Sequence, residues 1–269
     1  MSEKAVLITG AAGGLGKALV EMAVSIPDID KVVATDINER ITGMYAEYER
    51  VIPFVMDATS DGSIDNVKKE LQQRNIVVKY LINNAGMFIF HPVSEMTEEL
   101  VNRVFRVNAL SSVLMVRHFV DDLKRAQGRV IQISSCAVKL PTMFQSYPAS
   151  KIALEALSIS MRQELSLLGI KLVMIRSGAI NTDLIKNVKL TGPADKSKFQ
   201  PYYRKFVESA KKDIGKTIAP EKVAEVVKKA ATVSKPKYVY TINRNRTVVV
   251  FSLFPQKIID YLIRKTVGG

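Results

Sequence analysis

This sequence predicts an α/β fold: a doubly wound domain with about seven parallel strands and helices on both faces of the sheet. Short β-branched runs alternate with longer amphipathic segments along its whole length, the pattern of repeated strand–helix–strand units. The runs are too apolar for exposed edges and read as strands covered on both sides. A glycine-rich turn joins the first strand to the first helix.

In chain order, the strands are Ala5–Thr9, Lys31–Thr35, Ile52–Met56, Lys79–Ile82, Val130–Ile133, Lys171–Ile175 and Tyr238–Ile242. Helices are predicted at Leu15–Ser25, Ser63–Arg74, Glu98–Lys124, Ser150–Leu168 and Pro220–Thr232, each rich in good helix formers with apolar residues three and four apart. Every crossover should be right-handed. Thr191–Lys216 breaks the rhythm with Gly192, Pro193, Pro201 and two tyrosines. It reads as an irregular insertion near the C-terminal edge of the sheet, where such folds bind ligands. No repeat or low-complexity linker divides the chain. One domain over 1–269 is expected, with a substrate-loop insertion at 183–216 and a C-terminal extension at 243–269.

The 269 residues, 47% of them hydrophobic, suffice for one large core. Lys and Arg number 39 against 26 Asp and Glu, a net charge of +13, which suggests an anionic partner. The excess is local. Residues up to Thr182 hold 20 basic and 19 acidic groups, and those after it 19 and 7. One cysteine, Cys136, excludes an internal disulfide, and two histidines, His91 and His118, are too few for a histidine-rich metal site. No metal is expected. A reducing, cytoplasmic setting fits this cysteine usage; no apolar stretch approaches the roughly 20 residues of a spanning helix and no signal pattern precedes Lys4, so a soluble chain with possible surface association is expected.

The turn Thr9-Gly-Ala-Ala-Gly-Gly-Leu-Gly16 opens a helix at Leu15. Gly10, Gly14 and Gly16 let backbone approach a pyrophosphate, and the helix N-terminus supplies free N–H groups and partial positive charge. A tight turn of small residues is the plainer alternative. Asp36 ends the second strand, 20 residues beyond Gly16, where a carboxylate accepts from the adenosine ribose diol and repels a 2′-phosphate. NAD is therefore favoured over NADP, with Lys17 and Arg40 as the residues able to upset that choice. Asp57, past the third strand, suits the adenine amino group or a cap for the following helix. Tyr147 and Lys151 stand four apart at the start of a helix, on one face. A neighbouring cation favours tyrosinate and brings the phenol towards the range of a general acid/base.

Thr9-xxx-Gly14-x-Gly16, Asn83-Asn-Ala-Gly86, Asn108, Ser134-Ser135 and Tyr147-xxx-Lys151 follow in order, and together they resemble the compact members of the short-chain dehydrogenase/reductase family, which have a Rossmann-type fold. The resemblance covers about Lys4 to Ile242. It implies that Tyr147 exchanges the proton at the substrate oxygen, that Lys151 lowers the Tyr147 pKa and holds the nicotinamide ribose, and that Ser135 hydrogen-bonds the carbonyl or alcohol. Asn108 would hold a water linking Lys151 to solvent, although an exposed helix asparagine is its plainer reading. Asn83 and Ala85 would line the cofactor with Leu15, the Ile180 backbone would meet the carboxamide, and Thr182 would touch the cofactor. Hydride would pass between the nicotinamide and the substrate carbon.

Two features depart from the family pattern. Ser177-Gly178 stands where Pro-Gly is common, which leaves that loop less rigid. Ser135 lies 12 residues before Tyr147, whereas 13, the spacing of Ser134, is frequent. Ser135 is favoured, and Ser134 is the alternate.

Leu184, Ile185, Leu190, Phe199, Tyr202, Tyr203 and Phe206, with Val138, Leu140, Met143 and Phe144, suggest an apolar pocket. A steroid-, retinoid- or lipid-like alcohol or ketone leads as substrate, ahead of 3-oxoacyl groups and small polyols or carbonyls. A different class, a dinucleotide-binding redox sensor or scaffold, has no need of Ser135, Tyr147 and Lys151. The tail joins an apolar run from Val248 to a short helix with Ile258, Ile259, Leu262 and Ile263 on one side and Lys257, Arg264 and Lys265 flanking. It resembles extensions of steroid- and retinol-type members of the family. Such an end can rest on an anionic membrane or pack on the sheet or a second subunit. Nucleic acid is not expected, because no recognition motif or aromatic-and-basic groove accompanies the charge. A homo-oligomer is expected through the two long helices.

Overall fold

The computed structural model describes residues 2–182, 197–213 and 217–268. Seven strands form one sheet: β1 Glu3–Thr9, β2 Lys31–Asp36, β3 Val51–Val55, β4 Ile76–Asn83, β5 Arg129–Ser135, β6 Lys171–Ser177 and β7 Val239–Ile242. Their order is β3-β2-β1-β4-β5-β6-β7, and every pairing is parallel. The order reverses between β1 and β4, so the turns leaving these two strands face each other across the crevice where such sheets bind ligands.

The helices are α1 Gly14–Val24, α2 Ile41–Met44, α3 Asp61–Gln73, α4 Glu98–Phe105, α5 Ser111–Arg125, α6 Tyr147–Leu167, α7 Gln200–Asp213, α8 Pro220–Thr232, α9 Arg246–Phe251 and α10 Gln256–Val267. Alternation along each strand sends Val6 and Ile8 of β1 into a core under α1 and α8. Ala5 and Leu7 enter a second core under α3, α5 and α6. Both faces are covered, which is why the strands read as continuous apolar runs.

Two expectations are corrected, and the tail gains a helix. The predicted helix Glu98–Lys124 is broken by a wide π-type turn, Arg106–Leu110, between α4 and α5. The predicted insertion contains α7, a helix whose buried face carries Tyr203, Phe206 and Val207. The glycine and prolines drew attention to its ends and away from this spacing; Leu184, Ile185 and Leu190 lie outside the described residues. The apolar run from Val248 is helical, as α9, and α10 packs against α7. Among the described residues no helix is long and apolar enough to cross a membrane.

Candidate active site

The glycine turn is held from three sides. Tyr45 Oη donates to Ala11 O at 2.7 Å, Arg40 Nη2 to Ala12 O at 2.6 Å, and Ala12 N to Asp36 Oδ2 at 2.9 Å. From β4's turn, Asn84 Nδ2 donates to the Thr9 and Gly10 carbonyls at 3.0 and 3.1 Å, while the Asn84 and Ala85 N–H groups donate to Thr9 Oγ1. Gly10 sits at φ +66°, and a Cβ at Gly16 would lie 2.1 Å from the Gly10 carbonyl oxygen, so neither place accepts a side chain. A Cβ at Gly14 would meet Thr182 at 3.1 Å, which sets the loop after β6 directly against the turn. Gly13 caps α1 without a side-chain hydrogen bond, and no acidic residue stands in its first turn. The free N–H groups and helix dipole therefore suit a diphosphate.

Asp36 is where the sequence placed it, but its carboxylate is engaged: Oδ2 accepts from Ala12 N and Oδ1 from Asn38 N, both at 2.9 Å. Arg40 meets the same residue, Ala12, so a carboxylate and a guanidinium stand side by side at the end of β2, against the glycine turn. Asp57 Oδ1 accepts from both Thr59 N and Thr59 Oγ1, at 2.8 and 2.7 Å, and α3 is capped by Ser60 instead. Asn83 is buried, with neither amide atom partnered among the described residues. It stands in register with Gln132, whose amide is likewise unpartnered.

Tyr147 and Lys151 occupy the first turns of α6, where Pro148 at the helix start costs no backbone donor. Lys151 is 4% exposed; Nζ donates to Ile133 O at 2.9 Å and lies 5.8 Å from the Tyr147 ring centre. One of its three donors is thus spent on backbone. Burial pulls Lys151 down to about 8, with Glu155 working in the opposite sense. Burial pushes the Tyr147 phenol up to about 12, and a hydrogen bond from Ser135 opposes it. The lowering of the phenol by Lys151 that the resemblance implies works against desolvation, the largest influence on Tyr147. The two serines separate cleanly. Ser135 Oγ accepts from Ala137 N at 3.1 Å and is the serine that acts on the Tyr147 phenol, whereas Ser134 is buried and donates to Glu155 Oε1 at 2.7 Å.

Asn108 lies in the π-type turn and is 2% exposed, not an exposed helix asparagine. Its Nδ2 donates to Met87 O and to Ser150 Oγ, both at 2.9 Å. A Cβ on Gly86 would meet Asn108 Oδ1 at 3.3 Å and Lys151 Nζ at 3.7 Å; the glycine is what lets the β4 turn pass between them. Ile180 is bridged to Ile218 beside Thr182.

Reasoning from sequence missed part of the wall. Phe88 packs edge-on against Tyr147 with ring centres 5.0 Å apart, and Phe90, Phe144, Tyr203, Phe206 and Val267 complete an apolar cluster. Phe144 adopts φ +60°, a conformation costing an L-residue roughly 1–3 kcal/mol. Ring contacts to Tyr203 and Phe206 and the His91 N–H bonded to its carbonyl hold it there. The pairing of Phe88 and Phe90, two apart after the Asn-Asn-Ala-Gly turn, was the available signal.

A nucleotide-type crevice thus lies beside a tyrosine and a lysine one helical turn apart. Residues 4–192 match the family described as short chain dehydrogenase, and the chain belongs to that family. It is 31% identical over 190 residues to the short-chain dehydrogenase virD of Hypocrea virens, covering 69% of this chain and 64% of that protein. It is 28% identical over 275 residues to the NADPH-dependent 3-dehydrocapnine reductase of Ornithobacterium rhinotracheale, covering 96% and 95%. With human 17-beta-hydroxysteroid dehydrogenase type 1 it shares 29% over 261 residues, covering 89% and 77%. A short chain dehydrogenase/reductase of Burkholderia phymatum, solved in complex with NAD, superposes with a TM-score of 0.77 at 19% identity over 97% and 95% of the chains; at that identity the likeness is one of fold.

Proposed function

We propose that this chain is an NAD(P)-dependent oxidoreductase that interconverts an apolar alcohol and its ketone, steroid-, retinoid- or lipid-like, with NAD preferred. The observation that carries this reading is the convergence of Ser135, Tyr147 and Lys151 beside an aromatic wall. When bound, the nicotinamide supplies or accepts the hydride. Tyr147 gives or takes the proton at the substrate oxygen, and Ser135 steadies charge developing on that atom. Lys151, with two donors beyond its backbone bond, holds the ribose and lends its charge to the phenol. Asn108 fixes the backbone at Met87 and supports the lysine's path to solvent.

The cofactor residues in this reading are Gly10, Gly14, Leu15, Gly16, Asp36, Asp57, Asn83, Ala85, Ile180 and Thr182, with Tyr147 and Lys151. The carboxylate of Asp36 supports NAD; Arg40 beside it is the group that would tolerate a 2′-phosphate. The relatives include an NADPH-dependent reductase and a steroid dehydrogenase. Turnover measured with NAD and NADP across steroid, retinoid, 3-oxoacyl and polyol substrates decides the matter: the best rate is expected on a large apolar substrate with NAD. Preference for a polyol or 3-oxoacyl substrate with NADP would replace this reading.

We also infer two contacts. Leu110, Ile152 and Ile159 stay exposed on the two long helical segments, which supports a homo-oligomer. Leu253 is 80% and Tyr261 64% exposed, with Phe254 and Ile258 beside them and exposed Lys257, Arg264 and Lys265 around them. That mixture supports peripheral contact with an anionic membrane surface.

A further inference from the structure

We infer that Glu155, Arg176 and Ser134 form a buried positioning unit for the site, in which Glu155 is the counter-charge of Lys151 and Arg176 limits how much of that charge Lys151 receives. The inference rests on the reading of Tyr147 and Lys151 given above. Glu155 follows Lys151 by one turn of α6, so the two side chains leave the same helix face with Cβ atoms about 6 Å apart. Both are inside the protein, at 8% and 4% exposure.

A carboxylate in such a place needs partners, because an unpaired buried charge is strongly unfavourable. Glu155 has three: Arg176 Nε and Nη2 at 2.8 and 2.6 Å, and Ser134 Oγ at 2.7 Å. The first two make a two-pronged ion pair, the geometry that most restricts both groups. β5 and β6 set it up, since Ser134 and Arg176 are register partners and so point to the same face, towards α6. Ser134 is also the residue before Ser135. The unit thereby ties the strand end that carries one polar group of the site to the helix that carries the other two.

The groups facing Lys151 are few. From α6 they are Tyr147 and Glu155, and Glu155 is the charge that holds Lys151 up against its desolvation. From the π-type turn and the β4 turn come Asn108 and Gly86, which bring no charge. From β6 comes Arg176, already committed to Glu155. After β5, the Cys136 thiol points at Arg176 O at 3.6 Å and burial pushes it up. The signs follow. Removing the carboxylate takes away the anion that acts on Lys151 among the described residues and leaves a freed guanidinium close at hand. Removing the guanidinium leaves the carboxylate, still bonded by Ser134, without its paired cation and so more available to Lys151.

Glu155→Gln and Arg176→Gln test this, with thermal melts to confirm folding. Lys151 is acylated with trace acetic anhydride from about pH 6 to 11, and its labelling is read by mass spectrometry, which needs no turnover. The midpoint is expected to fall by about one pH unit in Glu155→Gln and to rise in Arg176→Gln, with Arg176→Lys near the native value. The alkaline limb of kcat/KM for ketone reduction should move in the same two senses. If Glu155→Gln does not fold, Glu155→Gln/Arg176→Met removes both charges and should lower the midpoint by less. Midpoints that stay put, or that move the same way in both single variants, overturn the inference and leave the roles of Tyr147 and Lys151 standing. Midpoints that split as expected without any alkaline limb in activity support the unit and count against Lys151 in the reaction.

Discussion

Asn108 Oδ1 accepts the Met87 N–H at 2.8 Å while its Nδ2 donates to the Met87 carbonyl at 2.9 Å. One side chain thus pairs with both backbone groups of a single residue, as a neighbouring strand would. The wide turn at Arg106–Leu110 is where the amide leaves the helix to do this, consistent with the frequent placement of such turns at functional sites.

Asn108→Ala should therefore be costly twice. It leaves the partly buried Met87 backbone and the buried Ser150 hydroxyl short of partners, a loss of about 1–3 kcal/mol, readable as a lower midpoint in urea. Turnover should fall by more than NADH affinity, since Met87 lies beyond the cofactor turn. Equal losses in both would contradict the role given to this residue.

The lowered Lys151 makes stability depend on pH in a definite sense. Its pKa is about 8 folded against an ordinary 10.5, so between these values the unfolded chain binds more protons and stability rises with pH. The difference corresponds to about 3 kcal/mol. Tyr147 acts at higher pH: its pKa of about 12 exceeds the ordinary 10, and its contribution, intact below 10, is lost as pH rises towards 12. Lys151→Met should abolish the rise between pH 8 and 10.5, seen as a stabilisation relative to the native chain that shrinks as pH increases. A pH-independent difference would mean that Lys151 is not desolvated as described.

Asp36→Ala removes the anion at the ribose position while Arg40 stays. The ratio of kcat/KM for NADP over NAD should rise about tenfold or more, the equivalent of 1.4 kcal/mol. An unchanged ratio would place cofactor choice elsewhere.

Leu253→Asp with Phe254→Asp should end sedimentation with anionic liposomes while sparing turnover on a water-soluble substrate. Binding that survives this change would exclude the α9–α10 segment as the contact.

How much of this could be read in advance depended on the kind of force involved. Strands such as Ala5–Thr9 were legible because burial on both faces leaves an uninterrupted apolar run. Gly10, Gly16, Tyr147 and Lys151 were legible because local geometry dictates residue type at fixed spacing. The break at Asn108 was not, since its cause is a hydrogen bond to Met87, twenty-one residues away in sequence. Nor was the division of labour between Ser134 and Ser135, which depends on Arg176 across the sheet. The α7 helix was obscured by the glycine and prolines near its start, although Tyr203, Phe206 and Val207 carry its spacing. The net charge of +13 pointed to a polyanion; the site described here is organised instead around one buried lysine.

The most direct test of the account is Tyr147→Phe, which removes one oxygen and keeps the ring packed on Phe88. Turnover should drop by roughly 10²–10⁴-fold, the usual contribution of a general acid/base, with NADH affinity measured by fluorescence unchanged. Turnover that persists in this variant would contradict the central claim.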